Sequence, residues 1–222
     1  MKWLALGLLI FSAAAFADDE KPWRGFYGGL GVGGGNAHST WVTDATFLSS
    51  INEPVDHKAR GGLLGAQFGY RWAGGPLRAG LEFAWYGGKM EERSDANLTG
   101  APNRERVTKI LNPGSLAAQL GLGGSRTLFY VRGGLAFASI ELQAINHQVG
   151  NVATWETTAL GWTAGTGLEI ALRRNWSLGL EYNYARMSAK DRTTINSGGE
   201  QVHANDFKTR MNIGLLRLNY LY

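Results

Sequence analysis

Nucleophilic hydrolysis needs a base within hydrogen-bond reach of a hydroxyl, and the four histidines of this chain, His38, His57, His147 and His203, are the candidates for that base. His38 adjoins Ser39 directly, and no His-x-Ser pair, which would share one strand face, occurs anywhere. All four lie in polar stretches that read as long loops, and no two stand at metal-ligand spacing. The run from Gly28 to Gly34 has the glycines of a phosphate cradle, yet it lies within a strand pattern and precedes neither a helix nor a Lys-Ser/Thr pair. The chain has no Cys, which excludes thiolate nucleophiles, thiolate metal sites and disulfides. No catalytic residue, cofactor site or metal site is therefore assigned.

The chemistry that remains is charge pairing. Gln67, Glu82, Gln119, Arg132, Glu169, Glu181 and Arg217 recur singly among small neutral residues, each about three to six places from a tight-turn signal or the chain end. Isolated buried charges are very costly, whereas opposite charges at one level can pair. The seven are expected to form an interior polar layer, either a structural plug or the lining of a gated ion path.

Strands must carry that layer. Tight-turn signals stand at "WAGGP" near Gly74, "GGSR" near Gly124 and "RRNW" near Asn175, with a long polar segment between each consecutive pair. Around them the spacing predicts eight strands, at about 24–36, 60–72, 76–88, 109–122, 127–141, 157–172, 175–188 and 208–222. Long water-exposed connections are expected at about 37–58, 89–107, 142–156 and 189–207.

Each strand alternates with a period of two. Trp176, Leu178, Leu180, Tyr182 and Tyr184 oppose Ser177, Gly179, Glu181, Asn183 and Ala185; Leu77, Ala79, Leu81, Phe83 and Trp85 oppose Arg78, Gly80, Glu82 and Ala84. The same holds for Leu160, Trp162, Ala164, Leu168 and Ile170 against Gly161, Thr163, Gly165, Gly167 and Glu169. A soluble ligand-binding barrel would turn the large apolar set inward and the other set to water. A water-facing set is normally rich in Lys, Glu and Thr, whereas this one is mostly Gly, Ala and Ser. Small residues suit the crowded interior of an eight-stranded barrel, which points the large apolar set to lipid. Trp23, Trp72, Trp176, Tyr70, Tyr220 and Tyr222 cluster at the turn ends, where an interfacial aromatic girdle belongs.

The rest of the composition fits that reading. Residues 1–17, "MKWLALGLLIFSAAAFA", combine one Lys, a short apolar stretch and a small-residue end, and are expected to be a cleaved signal peptide, leaving 18–222 as a single barrel domain. A retained spanning helix would need about 20 apolar residues. Glycine, at 32 residues, is about twice its average usage. The net charge of +4 is dispersed, with no basic stripe suited to nucleic acid. At the other end the chain stops on alternating Leu216, Leu218, Tyr220 and Tyr222, an apolar face that must be covered.

"GFYGGLGVGGG" from Gly25, the eight alternating strands and the terminal "LRLNYLY" together resemble the small bacterial outer-membrane barrels: the OmpA-like transmembrane domain, the OmpX group and the opacity-type porin family. The resemblance spans essentially the whole mature chain, and its motifs are architectural. It implies an all-β, eight-stranded antiparallel transmembrane up-and-down barrel, a monomer with both termini in the periplasm, set among outer-membrane lipid and lipopolysaccharide. It also implies that Leu216, Leu218, Tyr220 and Tyr222 match the terminal signal read by the barrel assembly machinery, with Tyr in place of the commoner Phe. The function so implied is structural, envelope-supporting or adhesin-like, with an unidentified surface ligand met through the long loops. A narrow channel is the first alternative and a lipid-A-modifying enzyme the second.

Overall fold

The computed structural model describes residues 23–44, 55–95, 104–146, 151–172, 175–189, 192–195 and 201–222. The expected signal peptide lies outside them. The strands are β1 (Gly25–Asp44), β2 (Val55–Gly74), β3 (Leu77–Asp95), β4 (Arg104–Gly123), β5 (Thr127–Asn146), β6 (Asn151–Ala171), β7 (Trp176–Ala189), β8 (Arg192–Ile195) and β9 (Gln201–Leu221). Each pairs antiparallel with its neighbour, and β1 pairs with β9 from Tyr27↔Leu221 to Asp44↔His203, closing the barrel. The four-residue β8 lies beyond the end of β7 along the same edge of β9, so the wall is eight strands wide. Where all eight strands run side by side the ring closes without a free edge, as hydrocarbon demands; beyond it β6 before Leu160 and β8 have ladder partners on one side only among the described residues.

The alternation becomes the wall's two faces. Along β7 the burial pattern is strictly two-residue apart from half-buried Tyr184, with Leu178 and Leu180 outside and Glu181 and Asn183 inside. The large apolar residues Phe26, Leu30, Leu64, Phe68, Leu81, Leu135 and Leu160 are all exposed on the outer surface, where lipid replaces water.

Three local features depart from the sequence-based expectation. The polar segments expected as long loops are largely strand, because the hairpins run on through 37–44, 55–58, 89–95, 104–107, 142–146 and 151–156. Alternation there is polar on polar, so it carries no apolar signal. His38, His57 and His203 accordingly lie on strands, while His147 is outside the described residues. Second, Trp23 does not join the aromatic girdle. It is 1% exposed, its Nε1 donates to the Gly124 carbonyl at 3.0 Å, and it packs with Tyr27, Leu128, Tyr130 and Leu221. Its odd number, shared with inward Tyr27, is the physical reason. Trp72, Trp176 and Tyr222 do face outward, in edge-on ring contacts with Tyr70 and Tyr220.

The third is a bulge in β4 between Leu111 and Gly114, where Asn112 takes φ 51° and Pro113 needs no ladder donor. It reverses the strand's parity. Ala117 and Gln119 point inward on one side of it, and Thr108 and Ile110 on the other.

Candidate functional site

Strand alternation brings Gln67 of β2, Glu82 of β3, Gln119 of β4, Arg132 of β5, Glu169 of β6, Glu181 of β7 and Arg217 of β9 to the lumen, all at most 5% exposed. Four of them form a ring of alternating charge. Arg132 Nη1 lies 2.9 Å from Glu82 Oε1 and 2.6 Å from Glu181 Oε1, and Arg217 contacts the same two carboxylates through Nη2 and Nη1. Gln119 Nε2 donates to Glu82 Oε2 at 3.0 Å. Gln67 lies apart from the ring, donating to Asn219 Oδ1 at 2.7 Å.

Glu169 pairs with a residue that sequence reasoning missed. Arg71 reaches it with two donors, at 2.6 and 3.1 Å, and its Nε donates to Gln119 Oε1 at 3.3 Å. The ion-paired layer thus holds three arginines (Arg71, Arg132, Arg217) and three glutamates (Glu82, Glu169, Glu181) whose formal charges cancel, while a fourth buried arginine, Arg78, donates instead to the Gly75 and Leu77 carbonyls at the turn. Arg71 shares the odd parity of Gln67, the signal that could have found it.

Three tyrosines were also missed. The Tyr27 hydroxyl donates to Glu82 Oε2 at 2.7 Å while its ring lies 4.0 Å beneath the Arg71 guanidinium. Tyr130 donates to Glu181 and accepts from Arg217 Nη1 at 3.1 Å, and Tyr86 reaches Gln67 at 3.4 Å. Each lies opposite a glycine of the neighbouring strand: Tyr27↔Gly69, Tyr86↔Gly65 and Tyr130↔Gly167. A Cβ at Gly167 would stand 2.4 Å from the Tyr130 ring, and one at Gly69 2.6 Å from the Tyr27 hydroxyl oxygen. These three inward glycines are therefore seats for rings, which a side chain would displace. Ser115, Ser177 and Asn183 complete the layer, bonding Arg132, Glu169 and Glu181 at 2.9, 3.1 and 2.7 Å.

Apolar side chains cover both sides of it. Trp23, Leu128 and Leu221 pack at the short-turn end, and Leu63, Met90, Ile110, Ile140, Met187, Met211 and Ile213 fill the lumen toward the long hairpins. Close-packed ionic pairs between two apolar layers hold these charges away from bulk water.

The four terminal residues take another place. Leu216 and Leu218 face outward on β9, Tyr222 just past its end is exposed, and Tyr220 is half-buried between Trp176 and Tyr222. β9 is paired on both sides, to β7 and to β1.

Over residues 3–213 the sequence matches the family described as outer membrane protein beta-barrel domain. The chain belongs to this family. It is an integral outer-membrane protein in contact with membrane lipid. The 31 kDa outer-membrane immunogenic protein of Brucella melitensis is 27% identical over 187 residues, covering 81% of this chain and 77% of that protein. Of solved structures, the outer membrane protease OmpT from Escherichia coli aligns over 95% of this chain and 99% of its own, with a TM-score of 0.57 and 7% identity. The outer membrane protein OprG from Pseudomonas aeruginosa aligns over 90% and 96%, with a TM-score of 0.56 and 14% identity. Such identities establish a shared barrel fold alone. Since one of these barrels is a protease, architecture by itself does not decide for or against catalysis.

Proposed function

We propose that this outer-membrane barrel is a closed structural element of the envelope, a monomer that stiffens the membrane and displays its outer rim and loops for surface contact, and that it neither conducts solute nor catalyses a reaction. One observation carries the reading: the lumen is crossed by a charge-matched layer of three Arg and three Glu with packed apolar side chains on either side. A conducting path would require water along those charges, and here they are spent on one another. The short turns and the chain end face the periplasm in this reading. Residues 1–17 act as a cleaved export signal, and Leu216, Leu218, Tyr220 and Tyr222 form the strand that the assembly machinery reads.

The test is single-channel recording of the refolded protein in planar bilayers. No conductance steps are expected; steps from the wild-type barrel would overturn the closed reading in favour of a narrow channel. Mass spectrometry of lipid A from cells with and without the protein is expected to show no difference, and a changed acylation or headgroup pattern would make the barrel an enzyme.

A further inference from the structure

Going round the wall, each strand is followed by the next in chain order, and the ring is joined only between its first strand, β1, and its last, β9. No hairpin connection backs that seam, so its ends are held by the ladder and by whatever packs across it. At the short-turn end the ladder stops at Tyr27↔Leu221, and the Tyr222 N–H donates to the Phe26 carbonyl at 2.9 Å. Other strand ends at this level are tied to turns: the N–H groups of Gly123, Ala171 and Leu221 donate to the carbonyls of Pro76, Arg126 and Asn175 at 2.8, 2.8 and 2.6 Å.

From this seam one buried side chain crosses the mouth of the lumen. Trp23 precedes β1 by two residues, and the Gly124 carbonyl that accepts from its Nε1–H lies between β4 and β5. Four strands separate that turn from the seam whichever way the ring is followed, so the bond joins opposite points of the wall. The indole packs on Tyr27 and Leu221, the last ladder pair of the seam, and on Leu128 and Tyr130 of the far strand β5.

Two glycines make the crossing possible. Gly25 takes φ +118°, which side chains rarely adopt, and a Cβ there would stand 2.8 Å from the Tyr222 carbonyl oxygen. The chain thereby leaves the wall for the lumen at the very end of the seam. Gly123 leaves room for the indole, since a Cβ there would stand 3.1 Å from Trp23 Cδ1. Swinging β1 away from β9 at this end draws the indole out of its pocket, breaks its bond to Gly124 and uncovers Leu128, Tyr130 and Leu221 together.

We propose that Trp23 is a bolt across the mouth of the barrel, tethering the β1–β9 seam to the opposite β4–β5 turn and so barring lateral opening of the wall at the short-turn end. Tryptophan suits the task because it joins a large apolar area to a single directional donor. The bolt is set only once the ring is complete, since its pocket is built from the first, fifth and last strands. Strand alternation drives the earlier pairing, and Trp23 locks the finished barrel. This action depends neither on which way the barrel faces nor on whether the lumen conducts.

Hydrogen–deuterium exchange of the refolded full barrel in lipid nanodiscs, read by mass spectrometry, decides it. In Trp23→Ala the amides of residues 26–30 and 216–222 are expected to exchange about tenfold faster or more, as loss of a buried aromatic anchor and its hydrogen bond implies, with the middles of β4, β5 and β6 unchanged. Trp23→Phe keeps a ring in the pocket but has no donor for Gly124. A smaller rise confined to the same two segments is expected, and this variant decides the matter if Trp23→Ala does not fold. Wild-type exchange at the seam in every variant that folds would overturn the proposal. So would a rise spread evenly over all eight strands, because it would make Trp23 an ordinary core residue.

Discussion

Arg71 on β2 and Glu169 on β6 grip each other across the full width of the lumen, guanidinium to carboxylate at 2.6 and 3.1 Å. β2 and β6 are four strands apart in a ring of eight, so this pair spans a diameter. Arg71→Lys keeps the charge but loses the second donor and the flat stacking over Tyr27. It is expected to cost about 2 kcal/mol in urea unfolding of the barrel in lipid vesicles. A variant as stable as wild type would show that the bidentate geometry contributes nothing.

The quartet of Glu82, Arg132, Glu181 and Arg217 predicts strong coupling between direct partners. Glu181→Gln and Arg217→Gln each leave a buried charge short of a partner, at about 3–5 kcal/mol for a fully desolvated pair. The double variant should cost clearly less than the sum of the two singles. Additive losses would mean that these residues do not stabilise each other.

Two strand glycines on opposite faces of the wall should respond differently. Gly167→Ala places a methyl 2.4 Å from the Tyr130 ring and displaces it from Glu181 and Arg217. A loss of about 1–3 kcal/mol is expected. Gly214→Ala meets nothing within 4 Å and is expected to stay within about 0.5 kcal/mol of wild type. Equal effects would remove the tyrosine-seat explanation of the inward glycines.

Wall parity and orientation are open to thiol labelling, since the chain has no native Cys. Leu180→Cys, at a position 64% exposed on the outer face, should react with a lipid-partitioning maleimide and not with a charged one. Gly74→Cys, at the end of β2 beside a short turn, should be protected in intact cells and label once the outer membrane is permeabilised. Labelling of Gly74→Cys from outside intact cells would invert the proposed orientation.

The assembly role proposed for the last strand is tested by Tyr220→Ser/Tyr222→Ser. This variant removes two aromatic rings from the seam between Trp176 and the chain end. It should accumulate as a protease-sensitive periplasmic species. Normal amounts of folded protein in outer-membrane fractions would show that those rings are not read.

The barrel was legible in the sequence where one face of a strand meets lipid and the other meets a packed interior. Along β7, Leu178 and Leu180 against Gly179 and Glu181 state the two environments directly. Beyond the hydrocarbon that contrast is lost, and stretches such as 55–57 or 104–107 lie on strands that polar alternation concealed. The β4 bulge reverses parity at Asn112–Pro113, so a single assignment for the whole strand cannot hold. In the interior, parity identifies who points inward but not who meets whom. That Arg71 finds Glu169, or that Tyr130 covers Gly167, follows from strand stagger, a relation between strands that no one strand encodes. Tyr27 and Tyr130 were hidden for a further reason: bulky rings on an otherwise small-residue face look like exceptions until the facing glycines are paired with them.

Strand length has a consequence for reach. β2 is 20 residues long and rises roughly 65 Å along itself at about 3.3 Å per residue. Tilted by about 35–45°, it stands roughly 50 Å tall, about twice the apolar band of an outer-membrane barrel. In the orientation proposed above, about half of β2 thus stands clear of the hydrocarbon on the outer side, hydrogen-bonded to β1 and β3. A macromolecule that contacts this upper part of β1, β2 and β3 would meet strand rather than loop, and the shape it recognises exists only while those strands are paired.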